Sequence, residues 1–273
     1  MNQEAHNNEI HEILYLYEKK LFLDAKNKTE LLLKKDPNNF FLENIYGNIF
    51  LNLKDYDNAI LRFKNSIKFN ENFSTGYYNL AICYLKKEIK IEVEKNLLQA
   101  IKKNPEYLEA YFELARFYRN ERKFNEAIIN YKIAININPL RSELYVGIGL
   151  VYLELGDFIK AERYLKEAVI VNKQDFYAFF NLGVLYFNNN KFQEALSYIN
   201  QSIYLNKNNY EGYNYLGKIF GAINNYKFAK LNFEKALIIN PNFNIGIKNL
   251  IDLTYNFEEY EECNSIIHKY INQ

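Results

Sequence analysis

Apolar residues recur along this chain at helical spacing, in short stripes separated by polar links. Tyr111, Leu114, Ala115 and Tyr118 stand at i, i+3, i+4 and i+7, and Phe124, Ala127, Ile128, Tyr131 and Ala134 form a second stripe of the same kind. Each stripe predicts one amphipathic helix. The links, such as Asn120 to Lys123, Gly156-Asp157 and Asn188 to Lys191, are polar and short. They suit tight turns between antiparallel helices, so each pair of stripes reads as a helical hairpin.

The hairpins repeat. FNEAIINYKIAININP at 124–139 returns as YKFAKLNFEKALIINP at 226–241, and the offset of 102 residues is three times 34. Pro37, Pro105, Pro139 and Pro241 all occupy one phase of that period, and Glu71, Lys173 and Lys207 fill the phases without proline. A register this strict means stacked repeats. Units start at 40, 74, 108, 142, 176, 210 and 244, with a less regular one from about residue 6, which makes eight. Where proline stands it ends a second helix, because it lacks an N–H and disfavours α geometry in the residue before it. The eighth residue of a unit is small, as in Gly47, Ala81, Ala115, Gly149, Gly183 and Gly217. Glycine inside a helix costs about 0.5–1 kcal/mol against alanine. Close approach of neighbouring helix backbones, facing the alanines of the twentieth phase, is the expected compensation.

This pattern resembles the tetratricopeptide repeat, whose alternation of large, small and aromatic positions reads in one unit as Tyr111, Leu114, Ala115, Tyr118, Phe124, Ala127, Tyr131, Ala134 and Pro139. The resemblance covers about residues 6 to 271. It implies an all-α fold, a right-handed α-solenoid or superhelix of helix-turn-helix repeats, with an inner groove lined mainly by each unit's first helix. The chain is then one array over 1–273: a degenerate N-terminal repeat at 1–39, six regular repeats at 40–243 and a C-terminal capping repeat at 244–273. In the first unit Ile10, Ile13, Leu14 and Tyr17 sit one step out of phase, and in the last Thr254 replaces an aromatic and Tyr270 a small residue. Terminal repeats face solvent on one side, so degenerate caps are expected there.

Composition adds mainly exclusions. Thirty-four basic and thirty-three acidic residues leave a net charge of +1, which provides no long-range field toward nucleic acid or an anionic membrane. MNQEAHNNEIHE lacks the marks of a secretory signal, and no apolar run approaches membrane-spanning length, so a cytoplasmic monomer is the expectation. Cys83 and Cys263 form no metal or redox motif and read as small buried hydrophobes. His6, His11 and His268 are confined to the terminal units, which leaves the central six repeats without a general base. The GIG at 147–149 lacks the rest of a dinucleotide motif and reads as helix packing, and Glu258, Glu259, Glu261 and Glu262 read as a solvated cap. No catalytic residue, cofactor or metal is expected.

What remains is the groove. Its phases are the second, fifth, sixth, ninth and twelfth residues of each unit, and they supply Tyr78, Asn79, Phe112, Arg116, Arg119, Tyr177, Phe180, Asn181, Phe187, Asn214 and Lys218 as candidate peptide-binding residues. Such a mixture of apolar side chains, amides and a few charges suits a peptide segment. Asn79, Asn181 and Asn249 share one phase, a broken version of the asparagine ladder of some family members, while Glu113, Gly147 and Tyr215 interrupt the row. The reading is a non-catalytic scaffold or adaptor for a protein or peptide partner. The alternative is the substrate-recruiting arm of a glycosyl- or sulfotransferase whose catalytic part is on another chain.

Overall fold

The computed structural model describes residues 3–270; Met1, Asn2 and residues 271–273, which the sequence reading includes in the array, lie outside the described residues. Sixteen helices follow one another, with no strand among the described residues. The first helices of the hairpins are α1 (Gln3–Glu18), α3 (Phe40–Asn52), α5 (Ser74–Lys86), α7 (Leu108–Asn120), α9 (Ser142–Glu154), α11 (Phe176–Asn188), α13 (Tyr210–Ala222) and α15 (Asn244–Asn256). The second helices are α2 (Phe22–Lys35), α4 (Tyr56–Phe69), α6 (Lys90–Lys103), α8 (Phe124–Ile137), α10 (Phe158–Val171), α12 (Phe192–Leu205), α14 (Tyr226–Ile239) and α16 (Tyr260–Tyr270). From α3 onward every first helix begins on the unit boundary read from the sequence. The first hairpin keeps the same backbone register, since α1 ends 34 residues before α3 and α2 begins 34 before α4. What shifts there is only the apolar stripe: Ile13, which is buried, fills the phase held by glycine or alanine in the six regular repeats, as Ile251 does in the last.

Contacts group the helices into two compact units that divide within α8, after Asn130. In the first, successive helices from α1 to α7 pack each on the next; in the second the same holds from α9 to α16, and α11 also touches α9 and α13.

Local sequence explains both kinds of turn. Between the helices of each hairpin one residue adopts positive φ, at Lys20, Lys54, Glu88, Arg122, Gly156, Asn190, Asn224 and Glu258, again 34 apart. The following N–H then reaches back to the first helix, as from Asp55 to the Phe50 carbonyl at 2.9 Å and from Lys123 to Tyr118 at 2.8 Å. This is the Schellman closure of a helix C-terminus. Between hairpins, Asn70, Asn104, Asn138, Asn172 and Asn206 each accept through Oδ1 from the N–H two residues on, at 2.9–3.1 Å. These Asx-turns account for part of the chain's abundance of asparagine.

The small phase is filled differently from the sequence expectation. A Cβ on Gly183 would stand 2.5 Å from Ile199 Cδ1, and one on Gly217 2.6 Å from the Phe233 ring. The space is therefore taken chiefly by a large side chain at the twenty-fourth phase of the same hairpin, rather than by a backbone facing the alanines. Both glycines of GIG are packing positions too, Gly147 under the Tyr131 ring and Gly149 under Leu165. Cys83 and Cys263 are buried and unbridged, and burial pushes the Cys83 thiol up to about 12.

Candidate functional site

Each unit carries its own portion of the first-helix face. In the first unit α5 and α7 bring Tyr78 and Phe112 to half-buried positions. The Tyr78 ring lies 5.3 Å from that of Tyr107, and desolvation, followed by the nearby Glu113 carboxylate, pushes its phenol up to about 12. Arg116 Nη1 meets Glu113 Oε1 at 2.9 Å, and the guanidinium sits 5.7 Å from the Phe112 ring centroid. One turn of α7 thus joins the aromatic ring, the acid and the base. Such an i,i+3 pair contributes only a few tenths of a kcal/mol at an exposed site. Arg119 lies one turn further on and is half-buried.

In the second unit α11 and α13 bring Phe180, Phe187, Tyr215 and Lys218 together. The Tyr215 ring receives Phe180 edge-on at 5.5 Å and Phe187 at 5.7 Å. Lys218 Nζ lies 4.7 Å from the centroid of Tyr215 and 4.9 Å from that of Phe187. Burial lowers the lysine's pKa, and among the described residues no carboxylate lies within ion-pair distance of its ammonium. A cation over two rings gains from the ring quadrupoles but keeps its hydrogen-bonding protons without an anionic acceptor. Beside it opens a cavity of about 190 Å³ reaching Asn249 and Asp252 on α15. Tyr177 is 56% exposed, its ring 4.0 Å from that of Phe176.

The asparagines separate into two classes. Asn79 and Asn214 are buried; Asn79 Nδ2 donates to Asn44 Oδ1 at 2.9 Å, and Asn214 Oδ1 accepts from Asn249 Nδ2 at 2.8 Å. Each bond joins consecutive first helices, so these two residues, read from the sequence as groove contacts, serve repeat-to-repeat stacking. Asn181 is half-buried and donates to the Tyr177 carbonyl of its own helix at 2.7 Å. Tyr215, read as an interruption, is the centre of the aromatic cluster. Its distances in sequence from Phe180 and Phe187, 35 and 28 residues, become contacts only because the hairpins stack.

Models of the tetratricopeptide repeat match residues 96–129 and 146–210. With the hairpins and their 34-residue register, these matches decide the family. The matched segments are tetratricopeptide repeats, and the other hairpins keep their 34-residue register. Comparison with curated protein sequences returns no match. Among solved structures the array is similar to a tetratricopeptide repeat protein from Parabacteroides merdae ATCC 43184, at 18% identity and a TM-score of 0.72, over 92% of this chain and 99% of that one. It is also similar to MamA, at 26% identity and a TM-score of 0.54, over 58% and 93% of the two chains. A third is YrrB, described as a TPR protein with an unusual peptide-binding site, at 21% identity and 0.51, over 68% and 96%. The likeness is one of fold. Among the described residues, no helix of the array is long and apolar enough to cross a membrane.

Proposed function

We propose that the array is a non-catalytic interaction scaffold that holds a peptide segment of a partner protein against its first helices. The observation that carries this reading is the Phe180, Phe187, Tyr215 and Lys218 cluster, in which partly enclosed rings adjoin an ammonium without an anionic partner. An apolar peptide side chain fits against the rings, and a peptide carbonyl or carboxylate accepts from Lys218. Aromatic side chains in such settings tend to dominate binding energy. YrrB, a protein of the same fold, is described as having a peptide-binding site, which supports the class of ligand without identifying it.

In this reading Tyr177 and Asn181 extend the second unit's face, while Tyr78, Phe112, Arg116 and Arg119 form a separate face on the first. Asn79 and Asn214 set the spacing of the helices that carry these faces. A peptide library selected against the whole chain, followed by measured dissociation constants for the selected sequences, tests the proposal. Phe180→Ala weakens binding at least about tenfold, near 1.4 kcal/mol, with helix content unchanged. Arg116→Ala matters less, because its charge is already opposed by Glu113, and any effect shrinks at high salt. Selected peptides that bind Phe180→Ala and Phe112→Ala as tightly as the parent overturn the assignment.

A further inference from the structure

The first unit contains a cavity that the peptide-binding reading does not use. It measures about 530 Å³, within the range of small-molecule sites, and lies between the second helices α2 and α4 with α3 as its floor. None of the groove phases of α3 lines it.

A break in the repeat accounts for it. At the fourth residue of the five repeats that start at 74, 108, 142, 176 and 210 stands an aromatic ring, in Tyr77, Tyr111, Tyr145, Phe179 and Tyr213, whereas the same phase of the repeat that starts at 40 is Glu43. At the twenty-third phase those five repeats carry asparagine or tyrosine, and the repeat from 40 carries Arg62. A carboxylate occupies less room than a phenol and needs a partner when buried. Glu43 is only 4% exposed; both its oxygens lie 3.5 Å from Arg62 Nη1, and Asn65 Nδ2 stands 3.3 Å from one of them.

The donors and acceptors around the cavity do not balance. Glu43 is opposed by Arg62, Glu30 lies 4.0 Å from Lys34, and Asp55 caps α4 by accepting from the Asn58 N–H. On the cationic side two groups are left over. The Arg62 guanidinium stacks 4.6 Å over the Tyr46 ring while its buried Nε–H meets no acceptor. Lys26 Nζ lies 5.5 Å over the Phe50 ring and, among the described residues, has no carboxylate within ion-pair distance. A buried donor without an acceptor is costly, and an incoming oxyanion would relieve it.

We propose that this cavity binds a small monocarboxylate with an aromatic or aliphatic body. The carboxylate accepts from Arg62 Nε–H and from the Lys26 ammonium, and the body lies against Tyr46 and Phe50. A dianion such as phosphate suits the site less well, because Glu30, Glu43 and Asp55 also line the cavity and only two donors are unmatched. The same carboxylate chemistry comes either from a free small molecule or from a peptide C-terminus.

Titration of the whole chain, followed by two-dimensional amide NMR, tests this with four probes: phenylpropanoate, its neutral amide, inorganic phosphate, and a tripeptide ending in phenylalanine. Phenylpropanoate is expected to give saturable shifts at Tyr46, Phe50 and Arg62, with a dissociation constant below about 10 mM, and the amide to bind at least about tenfold more weakly. The tripeptide separates the sources: binding it equally well points to a peptide terminus, and rejecting it while phenylpropanoate binds points to a small molecule. Arg62→Gln alone strands the buried Glu43, so the variants are Lys26→Gln and the double change Glu43→Gln with Arg62→Gln, each expected to weaken binding by about tenfold. Phe180→Ala leaves it unchanged, which keeps this test separate from that of the peptide face. Equal binding of acid and amide, saturation by phosphate alone, shifts confined to other residues, no saturation, or full binding by both variants overturns the proposal.

Discussion

At the scale of single residues, the hairpin turns hold conformational cost that the sequence has not removed. Left-handed backbone costs a residue with a Cβ about 1–2 kcal/mol, and of the eight such positions only Gly156 is glycine. Glu88 stands at φ 58°, so Glu88→Gly relieves that cost, at the expense of about 0.5–1 kcal/mol of extra chain entropy in the unfolded state. The net expectation is a gain of a few tenths to about 1 kcal/mol, and Gly156→Ala should lose a comparable amount, both read from urea midpoints. A second expectation concerns the tyrosines. Burial pushes the phenols of Tyr78, Tyr118 and Tyr186 up to about 12 from an ordinary 10, helped for Tyr118 by Glu94 and for Tyr186 by Glu162. Between about pH 10 and 12 the unfolded chain gives up these protons while the folded chain keeps them, so stability falls as pH rises through that window and is unaffected by these groups below it. Urea midpoints across the window should drop, and the drop should be shallower in Tyr186→Phe.

At the scale of helices and hairpins, the packing of the small phase distinguishes glycines that are irreplaceable from those that are not. Gly217→Leu drives a side chain into Phe233, and Gly183→Leu into Ile199, for which overpacking of about 1–3 kcal/mol is the usual cost. Because repeats couple to their neighbours, hydrogen exchange should accelerate first in α13 and α14 for the former and in α11 and α12 for the latter. Gly221 is the contrast: a Cβ there meets only Leu253 Cδ1 at an ordinary 3.7 Å, so Gly221→Ala should stabilise by about 0.5–1 kcal/mol. Identical melting of Gly217→Leu and the parent would remove the small phase as a close contact. Helix boundaries were legible in the sequence because proline, glycine and the polar turns repeat in one phase and act within a few residues of themselves. The Asn79–Asn44 bond, the Tyr215 cluster and the filling of the small phase were not, since each depends on which side chains stacking brings together across some 16 to 35 residues. Glu43 was visible as a departure from an aromatic phase, yet its burial with Arg62 needed the neighbouring helix.

At the scale of the whole molecule, near-neutral charge and a register without insertions describe a chain whose stability is collective and whose surface carries its specificity. Repeats supply the framework; in the two proposals the chemistry comes from departures from the repeat, Tyr215 and Lys218 in the second unit and Glu43 and Arg62 in the first. In the proposed function a peptide segment lies along the first helices of the second unit. Hydrogen exchange of the intact chain with and without a selected peptide tests it most directly. Protection is expected to concentrate in α11 and α13, over residues 176–188 and 210–222, and to be lost when Phe180 and Tyr215 are changed to alanine. Protection confined to the second helices α10, α12 and α14, or protection that persists in the doubly changed chain, would contradict it.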